Sequence, residues 1–145
     1  MINSRADKLI NLIKFHEGFS PFPYNDVGYL SIGYGHNLST SPLSRHIAEM
    51  MLYDDLDRTR NECRGFIQCF DSLDDVRKVV ILDMCYNLGI RKLLRFVRML
   101  EALSKGDYNK CADEMLDSDW SKQVKERAVR LSVMMRTGNW CKEIS

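Results

Sequence analysis

The chain has 145 residues, 45% of them apolar and 28% charged, with a formal net charge of +1. That length suits one domain with a proper buried core. The near-neutral balance gives no electrostatic ground for a nucleic-acid partner. No apolar run approaches the ~20 residues of a membrane span, so no stable membrane association is expected.

The charge is unevenly spread. Residues 1–90 carry nine Lys/Arg against twelve Asp/Glu, and residues 91–145 carry twelve against eight. The positive half could draw the protein to an anionic surface, or simply be a set of solvated helix faces. The five cysteines contain no C-x-x-C pair, and the three histidines form no H-E-x-x-H, so neither a metal nor another cofactor is expected. Cys85 and Cys111 sit in apolar helical patterns and read as buried small hydrophobes. Free thiols and the lack of a secretory h-region near the N-terminus fit a protein made in a reducing cytoplasm.

Ser4 followed by Asp7 has the form of a capping box, and Leu9, Ile10, Leu12, Ile13 and Phe15 follow at helical spacing. This first helix should end at Glu17-Gly18, where Gly suits the C′ position. Pro21 and Pro23 then forbid a helix, Asn25-Asp26-Val27-Gly28 is turn chemistry, and Tyr29 to Tyr34 is β-prone. The pattern predicts a small hairpin with Asp26 in its turn, with Tyr29 and Ser31 on one face and Leu30 and Ile32 on the other.

Ser41 and Pro42 should open a helix running to about Arg60. A further helix should begin at Ser72, with Asp75 closing a capping box. It is apolar nearly all round (Val76, Val79, Val80, Ile81, Leu82, Met84, Cys85), as a buried central helix would be, and Gly89 should stop it. Three more helices are expected over Leu93 to Leu103, Tyr108 to Leu116 and Trp120 to Met135, the last ended by Gly138. Arg91, Arg95 and Arg98 would share one helix face. Trp120 and Trp140 read as packing anchors. The expected fold class is α+β and mostly helical.

Cleavage of a glycosidic bond needs two flanking carboxyl groups, one to donate a proton and one ionised. Glu17 closes its helix, where the macrodipole disfavours negative charge; that suits a carboxyl that must hand over a proton. Asp26 lies in a polar turn that would keep it ionised. Taken singly, each is better explained as a helix-end residue and a turn former.

The ordered set says more. His16-Glu17-Gly18, then Tyr24-Asn25-Asp26, then Gly28-Tyr29-Leu30-Ser31-Ile32-Gly33-Tyr34-Gly35-His36, resembles the active-site segment of the phage lysozymes, the endolysin muramidases. Met84-Cys85-Tyr86-Asn87-Leu88-Gly89 resembles the end of that family's central helix. Asp119-Trp120, Arg127-Ala128 and Arg136-Thr137-Gly138-Asn139-Trp140 resemble its C-terminal helical lobe. The likeness runs in one order from about Leu9 to Trp140.

The resemblance implies a lysozyme-like fold in a single domain, with residues 18–60 forming a small β-hairpin lobe and residues 1–17 and 61–145 a helical lobe. It implies a muramidase acting on bacterial peptidoglycan at the β-1,4 bond between N-acetylmuramic acid and N-acetylglucosamine. Glu17 would be the general acid and Asp26 the partner carboxylate, with Ser31 helping to hold the attacking water. Inversion, the family's stereochemistry, would set the carboxyls ~6.5–9.5 Å apart. Tyr86 and Asn87 would fall on the saccharide cleft, Arg127 would reach toward the general acid, and His36 would pair with Asp55. A monomer is expected, held in the host bacterial cytoplasm until a separate membrane-permeabilising protein releases it to the wall, where it would lyse the host.

Two departures stand out. Ser31 replaces the family's usual Thr, and its distance from Asp26 is one residue shorter. Ser keeps the hydroxyl but lacks the methyl that fixes χ1. The link from His36 to Asp55 is also short, omitting much of a β-lobe extension and leaving part of the cleft more open. Two alternatives remain: a binding module that holds glycan without cutting it, and a lytic transglycosylase using Glu17 alone.

Overall fold

The computed structural model describes residues 4–144, with side chains described from residue 6. It is mostly helical, with eight α-helices and one small sheet among those residues. The α+β expectation holds. The chain divides into two units, one up to Met50 and one from Met51 onward, the boundary falling inside a helix.

The first unit begins with α1 (Ser4–Glu17). The expected Ser4 cap rests on a side chain outside those described. The Gly18 N–H bonds the Lys14 carbonyl at 2.9 Å and closes the helix where the Glu-Gly pair predicted.

Three antiparallel strands follow in the order β1 (Ser20–Asp26), β2 (Tyr29–Gly33), β3 (His36–Asn37). The third strand was not expected, because two residues are too few to show a period. The β1–β2 register is irregular between Ser20 and Tyr24, the stretch holding Pro21 and Pro23, which have no N–H to give the ladder. Asp26 pairs with Tyr29, so the turn is Val27-Gly28 alone. Asp26 is thus the last residue of β1, and not within the turn as expected.

Past β3, the Asn37 Oδ1 accepts from the Ser39 and Thr40 N–H groups at 2.9 and 3.1 Å. The side chain folds the chain back before α2 (Arg45–Phe66). That helix starts later and runs further than predicted. Ser44 is its cap, its Oγ accepting from the Ile47 N–H at 3.3 Å, while Pro42 holds Ser41 away from helical geometry.

The second unit is built round α3 (Asp75–Leu88). Its cap is Asp74, which accepts from the Arg77 N–H at 3.0 Å. Ser72, the expected cap, instead ends a short 3-10 turn over Phe70–Ser72. Val76, Val80, Ile81, Met84 and Cys85 are buried, and the Gly89 N–H closes the helix on the Cys85 carbonyl at 2.7 Å. The central-helix expectation holds.

The helix predicted over Trp120 to Met135 is broken in two, and the one predicted over Leu93 to Leu103 starts late. A short helix that was not predicted, α4 (Ile90–Leu93), precedes it, and after a turn at Leu94 and Arg95 comes α5 (Val97–Ser104). Arg91, Arg95 and Arg98 therefore share no single helix face. After α6 (Tyr108–Leu116), placed as predicted, come α7 (Asp119–Val124) and α8 (Glu126–Thr137). Lys125, at φ 48°, makes the break where neither Gly nor Pro announces one.

Five of the eight methionines (Met84, Met99, Met115, Met134, Met135) lie in the core beside Leu93, Leu103 and Ala128. Their flexible thioethers suit the irregular gaps between short helices. Trp120 is buried with its ring edge-on to Phe96, whereas Trp140, in the irregular segment beyond α8, is exposed and no packing anchor. Arg77 ties the start of α3 to the end of α8. Its guanidinium donates to the Met135 and Arg136 carbonyls at 2.8 and 3.2 Å and lies 3.6 Å from the Tyr108 ring centroid.

Candidate active site

Glu17 is the last residue of α1, and its carboxyl rests on the turn joining β2 to β3. A Cβ added to Gly35 in that turn would lie 2.7 Å from the Glu17 Oε2 and 3.0 Å from its Cδ. The carboxyl therefore occupies space that any other residue at position 35 would fill. The same turn is fastened to the end of α1 by Tyr34. The Tyr34 ring packs against Phe19 at 5.4 Å between centroids, and the Lys14 Nζ lies 5.4 Å from its centroid.

The sheet register decides which side chains can act together. Directly paired residues share a face, and alternate residues along a strand share it too. With Asp26 opposite Tyr29, Tyr24 opposite Ser31, and Ser31 opposite Asn37, one face holds Tyr24, Asp26, Tyr29, Ser31 and Asn37. Asp26 and Ser31 are diagonal neighbours there, a relation that typically spans about 7–8 Å between backbones. Asp26 is exposed at the hairpin end, whereas Ser31, on the central strand, is 4% exposed. A carboxylate open to solvent beside a sheltered hydroxyl can hold a water between them.

The remaining candidates have varied surroundings. His36 pairs with Ile32, which puts it on the opposite sheet face from Asp26 and Ser31. Asp55 lies in α2 and forms an ion pair with Arg58 one turn on. The Asn87 Oδ1 accepts from the Trp120 indole N–H at 2.8 Å, tying α3 to α7. The Arg127 Nε donates to the Asp83 carboxylate at 2.8 Å, tying α8 to α3. Both side chains thus have partners within the helical unit. Tyr86 is exposed and lines an open groove of about 650 Å³, with Arg58, Glu62, Gly89 and Arg91 along its wall.

Among the described residues no three His, Cys, Asp or Glu side chains gather as a metal would need. All five cysteines are free thiols. A hydrogen bond with Cys85, then burial, pushes the Cys63 thiol far up, and burial pushes Cys111 up to about 12, so neither is a nucleophile.

Sequence reasoning missed the contact of Gly35 with Glu17. The signal was its place four residues past Ser31. It also missed Asp83, the acid on α3 that accepts from the Arg127 guanidinium.

Comparison with known proteins adds the following. A family model described as phage lysozyme matches residues 14–136. A Dictyostelium discoideum protein named "Probable T4-type lysozyme 1" is 24% identical over 168 aligned residues, covering 95% of this chain and 96% of that protein. The pre-baseplate central spike protein Gp5 of Enterobacteria phage T4 is 33% identical over 63 residues. That alignment spans 43% of this chain and 11% of the spike protein.

Proposed function

The chain belongs to the phage lysozyme family, and on that footing we propose that it is a muramidase that hydrolyses peptidoglycan between N-acetylmuramic acid and N-acetylglucosamine. Glu17 gives its proton to the glycosidic oxygen as the bond to the anomeric carbon breaks. Asp26 takes a proton from a water that attacks the same carbon from the opposite face, and the Ser31 hydroxyl steadies that water. The products are a new reducing end and a free 4-hydroxyl. The biological setting that fits is endolysin action, in which the enzyme opens the wall of a bacterial host.

One observation carries this reading. A single strand, β2, links all three groups: its first residue pairs with Asp26, its third is Ser31, and the turn that follows it cradles the Glu17 carboxyl. Coordinated placement of this kind is what two-carboxylate hydrolysis requires.

The test is digestion of purified peptidoglycan with product identification by mass. Wild type should release reducing-end muropeptides. Glu17→Gln should lose at least about 10³-fold in rate while keeping the wild-type melting temperature, and Asp26→Asn should lose a comparable factor. Digestion by Glu17→Gln at the wild-type rate would remove Glu17 from the mechanism. Anhydro-sugar products from wild type would mean that the bond is broken without water.

A further inference from the structure

We propose that Gly35 is a positioning residue for catalysis, setting where the Glu17 carboxyl stands through the side chain it lacks. The inference rests on the muramidase reading above.

Two requirements coincide at this position. The backbone has φ +77°, which disfavours any L side chain, and the space a Cβ would take is filled by Glu17. The contacts would be 2.7 Å to the Oε2, 3.0 Å to the Cδ and 3.5 Å to the Cγ. All three are atoms of one side chain, and the carboxyl end is closest. Glu17 has a flexible chain, so a methyl group would be relieved by swinging the carboxyl away and leaving the backbone in place. The effect on the fold would be small and the effect on the proton donor direct.

Neighbouring glycines make the contrast. Gly33 begins the same turn at φ +69° and Gly28 ends the hairpin turn at φ +84°, yet a Cβ on either would meet nothing within 4 Å. Positive φ alone therefore explains those two and not Gly35. The turn is also held from the other side, since Tyr34 is packed by Phe19 and Lys14. These contacts hold the neighbouring side chain, and the Gly35 backbone stands as a wall on one side of the carboxyl. A displacement of about 1 Å at a reacting group can cost on the order of 10²-fold in rate.

The control is built into the same turn. Gly33→Ala carries the backbone strain without the clash, and Gly35→Ala carries both. With soluble peptidoglycan strands as substrate and new reducing ends as the readout, Gly35→Ala should lower kcat by about 10²-fold with KM little changed. Gly33→Ala should keep kcat within a few-fold, and the two should have similar melting temperatures.

A double-mutant cycle supplies the second readout. Glu17→Asp withdraws the carboxyl by one methylene from the contested space, so its cost should be clearly smaller in the Gly35→Ala background than in wild type. Equal kcat losses in the two glycine variants, or additive effects of Glu17→Asp and Gly35→Ala, would overturn the proposal. A wild-type protein that cuts no glycan would overturn the muramidase reading instead, so the two failures are distinguishable.

Discussion

Val27 holds a conformation that its side chain resists. It has φ 47° in a two-residue hairpin turn with Gly28 at φ 84°, a geometry that favours Asn, Asp or Gly at both positions. A β-branched residue at positive φ costs about 1–3 kcal/mol, and the Val27 side chain, 92% exposed, recovers almost none of that by packing. Val27→Asn should therefore raise stability by about 1 kcal/mol, seen as a higher denaturant midpoint with unchanged slope. The same residue explains why the turn was read too wide in the sequence. Asn25-Asp26 is better turn chemistry than Val27-Gly28, and only the pairing of Asp26 with Tyr29 confines the turn to the last two of the four residues. That pairing puts Asp26 on a strand, and with it on the same sheet face as Ser31. Glu17 and Asp26 could be picked out as candidates because the Glu-Gly helix end and the Tyr-x-Asp run are local patterns. The wall that Gly35 gives Glu17 was not, because contact between a helix end and a turn eighteen positions later leaves no periodic trace.

Among elements, α3 was the most legible, since its buried residues Val76, Val80, Ile81, Met84 and Cys85 recur at helical spacing in a strongly apolar run. Its start was less so. Ser72 with Asp75 and Asp74 with Arg77 are both plausible caps, and the 3-10 turn over Phe70–Ser72 consumes the first. Partial burial pushes the Asp74 carboxyl up. The Arg77 backbone N–H, then its guanidinium hydrogen bond and charge, outweigh that and hold the group below the usual carboxylate range. A depressed folded-state value means that the cap's electrostatic contribution is present at neutral pH and lost as pH falls through that value. Asp74→Ala should cost about 1 kcal/mol at pH 7, and the gap from wild type should narrow in melts below the ordinary carboxylate range. A gap that stays constant with pH would mean that the cap acts only through shape. The breaks at Phe96 and Lys125 were not legible for another reason. Both lie where α-helical periodicity continues and no breaker residue occurs, so tertiary packing overrides local preference there.

For the whole molecule, composition and periodicity indicated a helical protein with a small sheet, and that is what folds. The cysteines provide a test of its interior. Cys63, Cys85 and Cys111 are buried, whereas Cys69 and Cys141 are half-buried. In native protein a thiol reagent should titrate two groups readily, and the other three only at the rate of unfolding. Five fast thiols would mean a loosely packed core. The clasp made by Arg77 bears on a different matter, the birth of the chain. Its carbonyl partners lie 58 and 59 positions downstream. At a synthesis rate of about 5–20 residues per second, the guanidinium emerges roughly 3–12 s before those carbonyls, and until then Asp74 is its neighbour on the same helix. During that interval α3 is an apolar helix with no completed core around it. Translation speed through this stretch, and whatever shields nascent chains in the cell, would then govern how much of the protein matures and how much aggregates.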